Sequence, residues 1–105
     1  MNKSQNLEQL RKRIDTIDKK IIKLIQERLK MSSSIAIYKQ KYQLPIIQKK
    51  REQDAIQKRT LQARAMDIDT TFIERLFKLI IKHSRAIQAK TQKKTPIFDK
   101  KGKNW

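Results

Sequence analysis

The sequence predicts an all-α fold, with three helices per chain, one of them very long, in an antiparallel homodimer. Three observations carry that expectation. The 105 residues include one glycine and two prolines, so turn punctuation is scarce and helices can run far. Leu7, Leu10, Ile14, Ile17, Ile21 and Leu24 recur at alternating steps of three and four, which is the stripe of a helix packed against another helix. Beyond Pro45, two further segments carry helical patterning, separated by "MDIDTT".

Helix 1 is expected to begin at Asn6, with Gln9 three residues later as a capping-box partner. Its stripe continues through Arg28, Met31, Ile35 and Tyr38 until Pro45, which already biases Leu44 out of helix. A helix over residues 7–40 would be about 51 Å long at 1.5 Å per residue. A compact globule of this size is only about 33 Å across. Such a helix overhangs its own domain, and a second copy of the chain is the simplest cover for its apolar stripe.

Helix 2 is expected over residues 47–65 and is highly polar, with a thin apolar face. Thr71 and Glu74 offer a capping box for helix 3. One line along helix 3 runs Ile73, Phe77, Ile80, Ser84, Gln88, so a stripe that begins as core ends in polar side chains. The expected domain covers residues 1–90. Residues 91–105, lysine-rich with Pro96 and Gly102, read as a disordered basic tail.

Net charge is +17, from 27 Lys and Arg against 10 Asp and Glu. The tail after Gln88 holds six lysines and one aspartate, which leaves +12 on the residues before it. Anionic partners are therefore favoured by the body of the protein as well as by its end. The chain has no cysteine, its start lacks the apolar run of a signal peptide, and no segment approaches the length of a membrane span. A cytoplasmic protein without a membrane partner is expected.

Arg28 puts a permanent charge at a position where the heptad asks for an apolar side chain. Alone, it would be an arginine that snorkels or pairs with an acid. Lys39 lies three turns further on nearly the same face, about 16 Å away, and Arg11 lies about 25 Å before it. A straight helix keeps Arg11 and Lys39 about 42 Å apart. If a second copy crosses antiparallel near residue 22, its Arg11 falls between Arg28 and Lys39. Three cations beside an apolar seam call for a ligand with several negative groups, and arginine forks suit carboxylates. Ser84 and Gln88 add neutral hydrogen-bonding groups, although at a solvated helix end they would need no ligand. Helix 2 adds Arg51 and Glu52, in a helix whose charges mostly face water. His83 is alone and reads as a surface residue.

In order and at compatible spacing, these pieces resemble the all-helical, intertwined-dimer class of chorismate mutases. The resemblance covers about residues 7–88. It rests on "LEQLRKRIDTIDKKIIKLIQERLKM", "IAIYKQK", "LPI" followed by "KREQ", and "FIERLFKLIIKHSRAIQ". It implies a Claisen rearrangement of chorismate to prephenate, within phenylalanine and tyrosine synthesis. It also implies roles: Arg28 and the second copy's Arg11 would grip the two carboxylates, and Lys39 and Gln88 would donate to the ether oxygen whose bond breaks. Glu52 would hold the ring hydroxyl, while Arg51 and Ser84 would line and order the pocket. Gln48 stands where well-known members place an acidic residue on the substrate, so it keeps hydrogen bonding there and loses charge.

The residue types suit that chemistry. A unimolecular rearrangement needs no nucleophile, metal or cofactor. It needs an extended dianion held in a chair-like shape, with stabilisation of negative charge growing on the ether oxygen. The same cations would serve an isochorismate pyruvate lyase, or a mutase of an amino analogue, about equally well. A non-catalytic basic protein binding nucleic acid would draw on the charge and the lysine tail. It would lack aromatic stacking positions and a recognised reading motif, so nucleic acid is disfavoured as the partner.

Overall fold

The computed structural model describes residues 3–94, and among them it contains three helices and no strand. They are α1 (Lys3–Lys41), α2 (Lys49–Ala65) and α3 (Thr70–Lys94). The all-α expectation holds, with 39 residues in the first helix. α1 starts before Asn6, which therefore lies inside the helix instead of capping it. α3 continues four residues past position 90, and the rest of the expected tail, residues 95–105, lies outside the described residues.

Both interhelical turns end the preceding helix in the same way. Leu44 N–H reaches Lys39 O at 2.7 Å and Gln43 N–H reaches Gln40 O at 3.2 Å. Ile68 N–H reaches Ala63 O at 2.8 Å and Asp67 N–H reaches Arg64 O at 3.2 Å. These are paired six-to-one and five-to-two bonds, the Schellman arrangement, which places one residue in the left-handed region. That residue is Gln43 (φ 56°) in the first turn and Asp67 (φ 57°) in the second. Glycine usually fills such a position, and this chain has almost none to spare.

α3 is capped by Asp69, whose Oδ1 accepts the Thr71 N–H at 2.9 Å. The expected Thr71–Glu74 box is thus replaced by an aspartate two positions earlier. Glu74 pairs instead with Lys78, one turn along α3, at 3.1 Å.

The chain divides into two compact units at Met31/Ser32. The first is α1 up to residue 31. Its stripe of Leu7, Leu10, Ile14, Ile17, Ile21 and Leu24 is 48–62% exposed, so this unit offers an apolar face without covering it. The second unit joins residues 32–41 of α1 to α2 and α3. α2 packs on α3, with Ala63 buried and the Arg59 guanidinium 5.8 Å from the centre of the Phe77 ring. Ser32 Oγ donates to Ser84 Oγ at 3.2 Å, and Gln40 Nε2 donates to Gln92 O at 3.4 Å. Both pairs are 52 positions apart, so the end of α1 and the second half of α3 run side by side in one direction. Gln92 Nε2 to Ala36 O (2.9 Å) and Thr91 Oγ1 to Ser33 Oγ (3.1 Å) complete this seam.

Among the described residues of this unit, the buried ones are Ala36, Ala63, Ser32, Ser84 and Gln88. Small and polar side chains occupy the places a large apolar core would fill. The line Ile73, Phe77, Ile80, Ser84, Gln88 is most deeply buried at its polar end. Ser84 and Gln88 are 6% and 8% exposed, which rules out a solvated helix end. Buried polar groups persist only where they are hydrogen-bonded or serve a ligand.

Candidate functional site

The centre of the polar cluster is Lys39. The Schellman turn after α1 folds the loop back, and this brings the Ile46 carbonyl to 2.7 Å from Lys39 Nζ. A second N–H of the ammonium goes to Gln88 Oε1 at 2.9 Å. Because the amide oxygen of Gln88 is the acceptor, its NH₂ is the end left to donate. Both acceptors on Lys39 are neutral oxygens, so the positive charge is held by dipoles. Burial pulls the Lys39 pKa below the ordinary lysine value, an effect partly offset by attraction to Glu52.

Glu52 lies in the first turn of α2, half-buried, and Gln48 is the residue that caps that helix. Gln48 makes no side-chain cap bond, and its carbonyl accepts the Glu52 N–H at 3.0 Å. The Glu52 carboxylate is engaged by Arg85 of α3 through both oxygens: Arg85 Nε donates to Oε2 at 2.9 Å, and Arg85 Nη2 donates to Oε1. This fork holds the Glu52 pKa below the usual carboxylate value. Burial opposes the shift, while the charges of Arg85 and Lys39 and the Gln48 backbone add to it.

The second unit therefore unites Lys39, Gln88, Glu52, Gln48 and Ser84 of the expected site. Arg51 is exposed on α2. Arg11 and Arg28 belong to the first unit, the former exposed and the latter half-buried. Three participants were not anticipated: Ser32, the Ile46 carbonyl and Arg85. Ser32 and Arg85 carried a weak signal, since each sits beside or one turn from an expected residue. The Ile46 carbonyl carried none, because a backbone oxygen has no sequence signature. His83 is exposed, as expected.

Among the described residues, no group of three or more His, Cys, Asp and Glu stands close enough to hold a metal ion. No helix among them is long and apolar enough to cross a membrane. The arrangement can offer an ammonium and a carboxamide NH₂ side by side, with a fixed carboxylate nearby. Such a set can hold an oxygen on which negative charge develops, and beside it a hydroxyl.

An all-helical chain with this cluster fits an enzyme that steadies negative charge growing on an oxygen, and comparison with known proteins makes the class specific. Residues 10–89 match the family model described as chorismate mutase type II. A chorismate mutase of Methanocaldococcus jannaschii is 30% identical over 97 residues, covering 92% of this chain and 98% of that protein. A bifunctional chorismate mutase/prephenate dehydratase of Buchnera aphidicola is 36% identical over 90 residues, covering 86% of this chain. A T-protein of Haemophilus influenzae is 31% identical over 86 residues, covering 82% of this chain. The chain spans only 23% of the length of each of these last two proteins. The chain belongs to the chorismate mutase type II family.

Proposed function

We propose that this chain rearranges chorismate to prephenate in the cytoplasm, as a homodimer with two sites shared between its copies. The observation that carries the reading is the Lys39–Gln88 contact at 2.9 Å. It orients an ammonium and an amide NH₂ as neighbouring donors, and both are the groups expected on the breaking ether bond. As the C–O bond lengthens, charge grows on that oxygen. Donors fixed in advance stabilise that charge more than they stabilise the bound substrate, which is the condition for a rate increase.

The other roles follow from charge and position. Arg28 and the second copy's Arg11 take the two carboxylates and hold the dianion in its compact shape. Glu52 accepts the ring hydroxyl, Gln48 adds a neutral hydrogen bond beside it, and Ser84 and Arg51 order the pocket wall. The half-exposed stripe of the first unit supports pairing with a second copy, since covering each such Leu or Ile contributes about 1 kcal/mol.

The test is the loss of chorismate absorbance with purified protein, with chorismate and isochorismate presented separately and their products identified. Prephenate from chorismate supports the proposal. Pyruvate release from isochorismate alone would make the chain a lyase. Salt-sensitive nucleic-acid binding without turnover of either compound would overturn the enzymatic reading.

A further inference from the structure

Lys39 has three N–H groups, and the two placed so far go to the Ile46 carbonyl and to Gln88 Oε1. The acid that acts on it is Glu52, close enough for its charge to be felt at the ammonium. A partly buried ammonium and a neighbouring carboxylate attract each other and can close into an ion pair. Such a pair would consume the remaining N–H and neutralise the charge that a substrate oxygen needs.

Here the carboxylate has a different partner. Arg85 engages both of its oxygens in a planar fork, a geometry that an ammonium cannot match. The Glu52 side chain is 18% exposed and that of Arg85 36%, so the arginine is the more solvated member of the pair. Other cations share a groove with Glu52. Lys49 of its own helix, with Lys78 and Lys82 of α3, lines an open groove of about 440 Å³ together with the pair. Lys78 is already held by Glu74.

We infer that Arg85 is a positioning residue: its fork holds the Glu52 carboxylate away from Lys39 and so keeps the Lys39 ammonium for the substrate. This deepens the chorismate mutase reading and rests on it for the identity of that substrate. It assigns Arg85 no contact with the reacting atoms. The directions of the two titrations agree with the geometry, since Glu52 is held ionised chiefly by Arg85 while burial dominates at Lys39.

The experiment compares the full chain with Arg85→Gln, Arg85→Lys and the double variant Glu52→Gln/Arg85→Gln. The readouts are the Lys39 pKa, followed by side-chain nitrogen NMR, and kcat and KM on chorismate. In Arg85→Gln the Lys39 pKa should rise as Glu52 turns to it. In the same variant kcat/KM should fall about 10- to 100-fold, the worth of one charge-assisted hydrogen bond. The double variant removes the competing carboxylate, so it should bring the Lys39 pKa back down. Its kcat/KM also loses the Glu52 contact to the ring hydroxyl and does not decide the matter. Arg85→Lys keeps the charge without the fork and should fall between parent and Arg85→Gln. It carries the test if Arg85→Gln does not fold.

A Lys39 pKa that Arg85→Gln leaves unchanged overturns the inference, as does one that stays raised in the double variant. If the parent chain leaves chorismate intact, the proposed reaction is wrong. The inference about Arg85 then stands or falls on the Lys39 titrations alone.

Discussion

Lys39 joins a property visible in the sequence to one that is not. Its spacing from Arg28 marks it as a seam cation, but only the fold shows that its ammonium is partly buried and rests on neutral oxygens. Burial disfavours the charged form, so Lys39 loses its proton at a lower pH than a free lysine. The proposed reaction needs the ammonium. Turnover should therefore hold below the Lys39 pKa and fall as pH rises through it, giving an alkaline limb below the ordinary lysine range. A guanidinium stays charged throughout, so Lys39→Arg should be slower at neutral pH and should lack that limb. A pH–rate profile of kcat/KM for both proteins checks this, and an identical limb in the variant would assign it to another group. Gln88 and Ser84 were legible as polar residues ending an apolar line, yet nothing local showed that this end would be the buried one. The pairing of Glu52 with Arg85 was not legible, even though Arg85 stands beside Ser84. It depends on the register of α2 against α3, and register between helices is set by packing that no periodicity encodes.

At the scale of elements, the helices were legible because their signals are local, and their ends were less so. The stop before Pro45 and the break at "MDIDTT" fall where backbone chemistry demands. The starts moved in opposite senses: α1 extends three residues further into polar sequence that does not resist, while α2 begins two residues later than expected. The cap of α3 shifted to Asp69 because an aspartate competes well with a threonine for the same N–H groups. The turns contain an untapped source of stability. Gln43 sits at φ 56°, where a Cβ costs about 1–2 kcal/mol, while glycine carries an unfolded-state cost of about 0.5–1 kcal/mol. Gln43→Gly should thus stabilise the fold by about 0.5–1 kcal/mol, read as a higher denaturant midpoint at unchanged slope. Activity should not change, since Gln43 contributes only its backbone, through the bond to Gln40 O. A lower midpoint would mean that the Gln43 side chain has contacts in the assembled protein.

At the scale of the whole molecule, one chain leaves its long apolar stripe uncovered and holds only part of the proposed site. Both gaps close if two copies pair antiparallel along α1, for then Arg11 of one copy arrives beside Arg28 and Lys39 of the other. The length of helix 1 and its apolar stripe were legible from periodicity, whereas what covers that stripe was not. That geometry predicts complementation. Arg11→Ala and Lys39→Ala homodimers should each be nearly inactive, because every site in them lacks one cation. When the two variants are unfolded together in equal amounts and refolded, random pairing makes about half the dimers mixed, each with two sites. In a mixed dimer one site carries both substitutions and the other carries neither. About a quarter of all sites are then intact, and chorismate turnover should return to about that fraction of the parent's. Mixed dimers must be shown directly, for instance by a mass difference between the two variants in native mass spectrometry. If they form and no activity returns, each site lies within one copy, and Arg11 is an ordinary surface charge on the first unit.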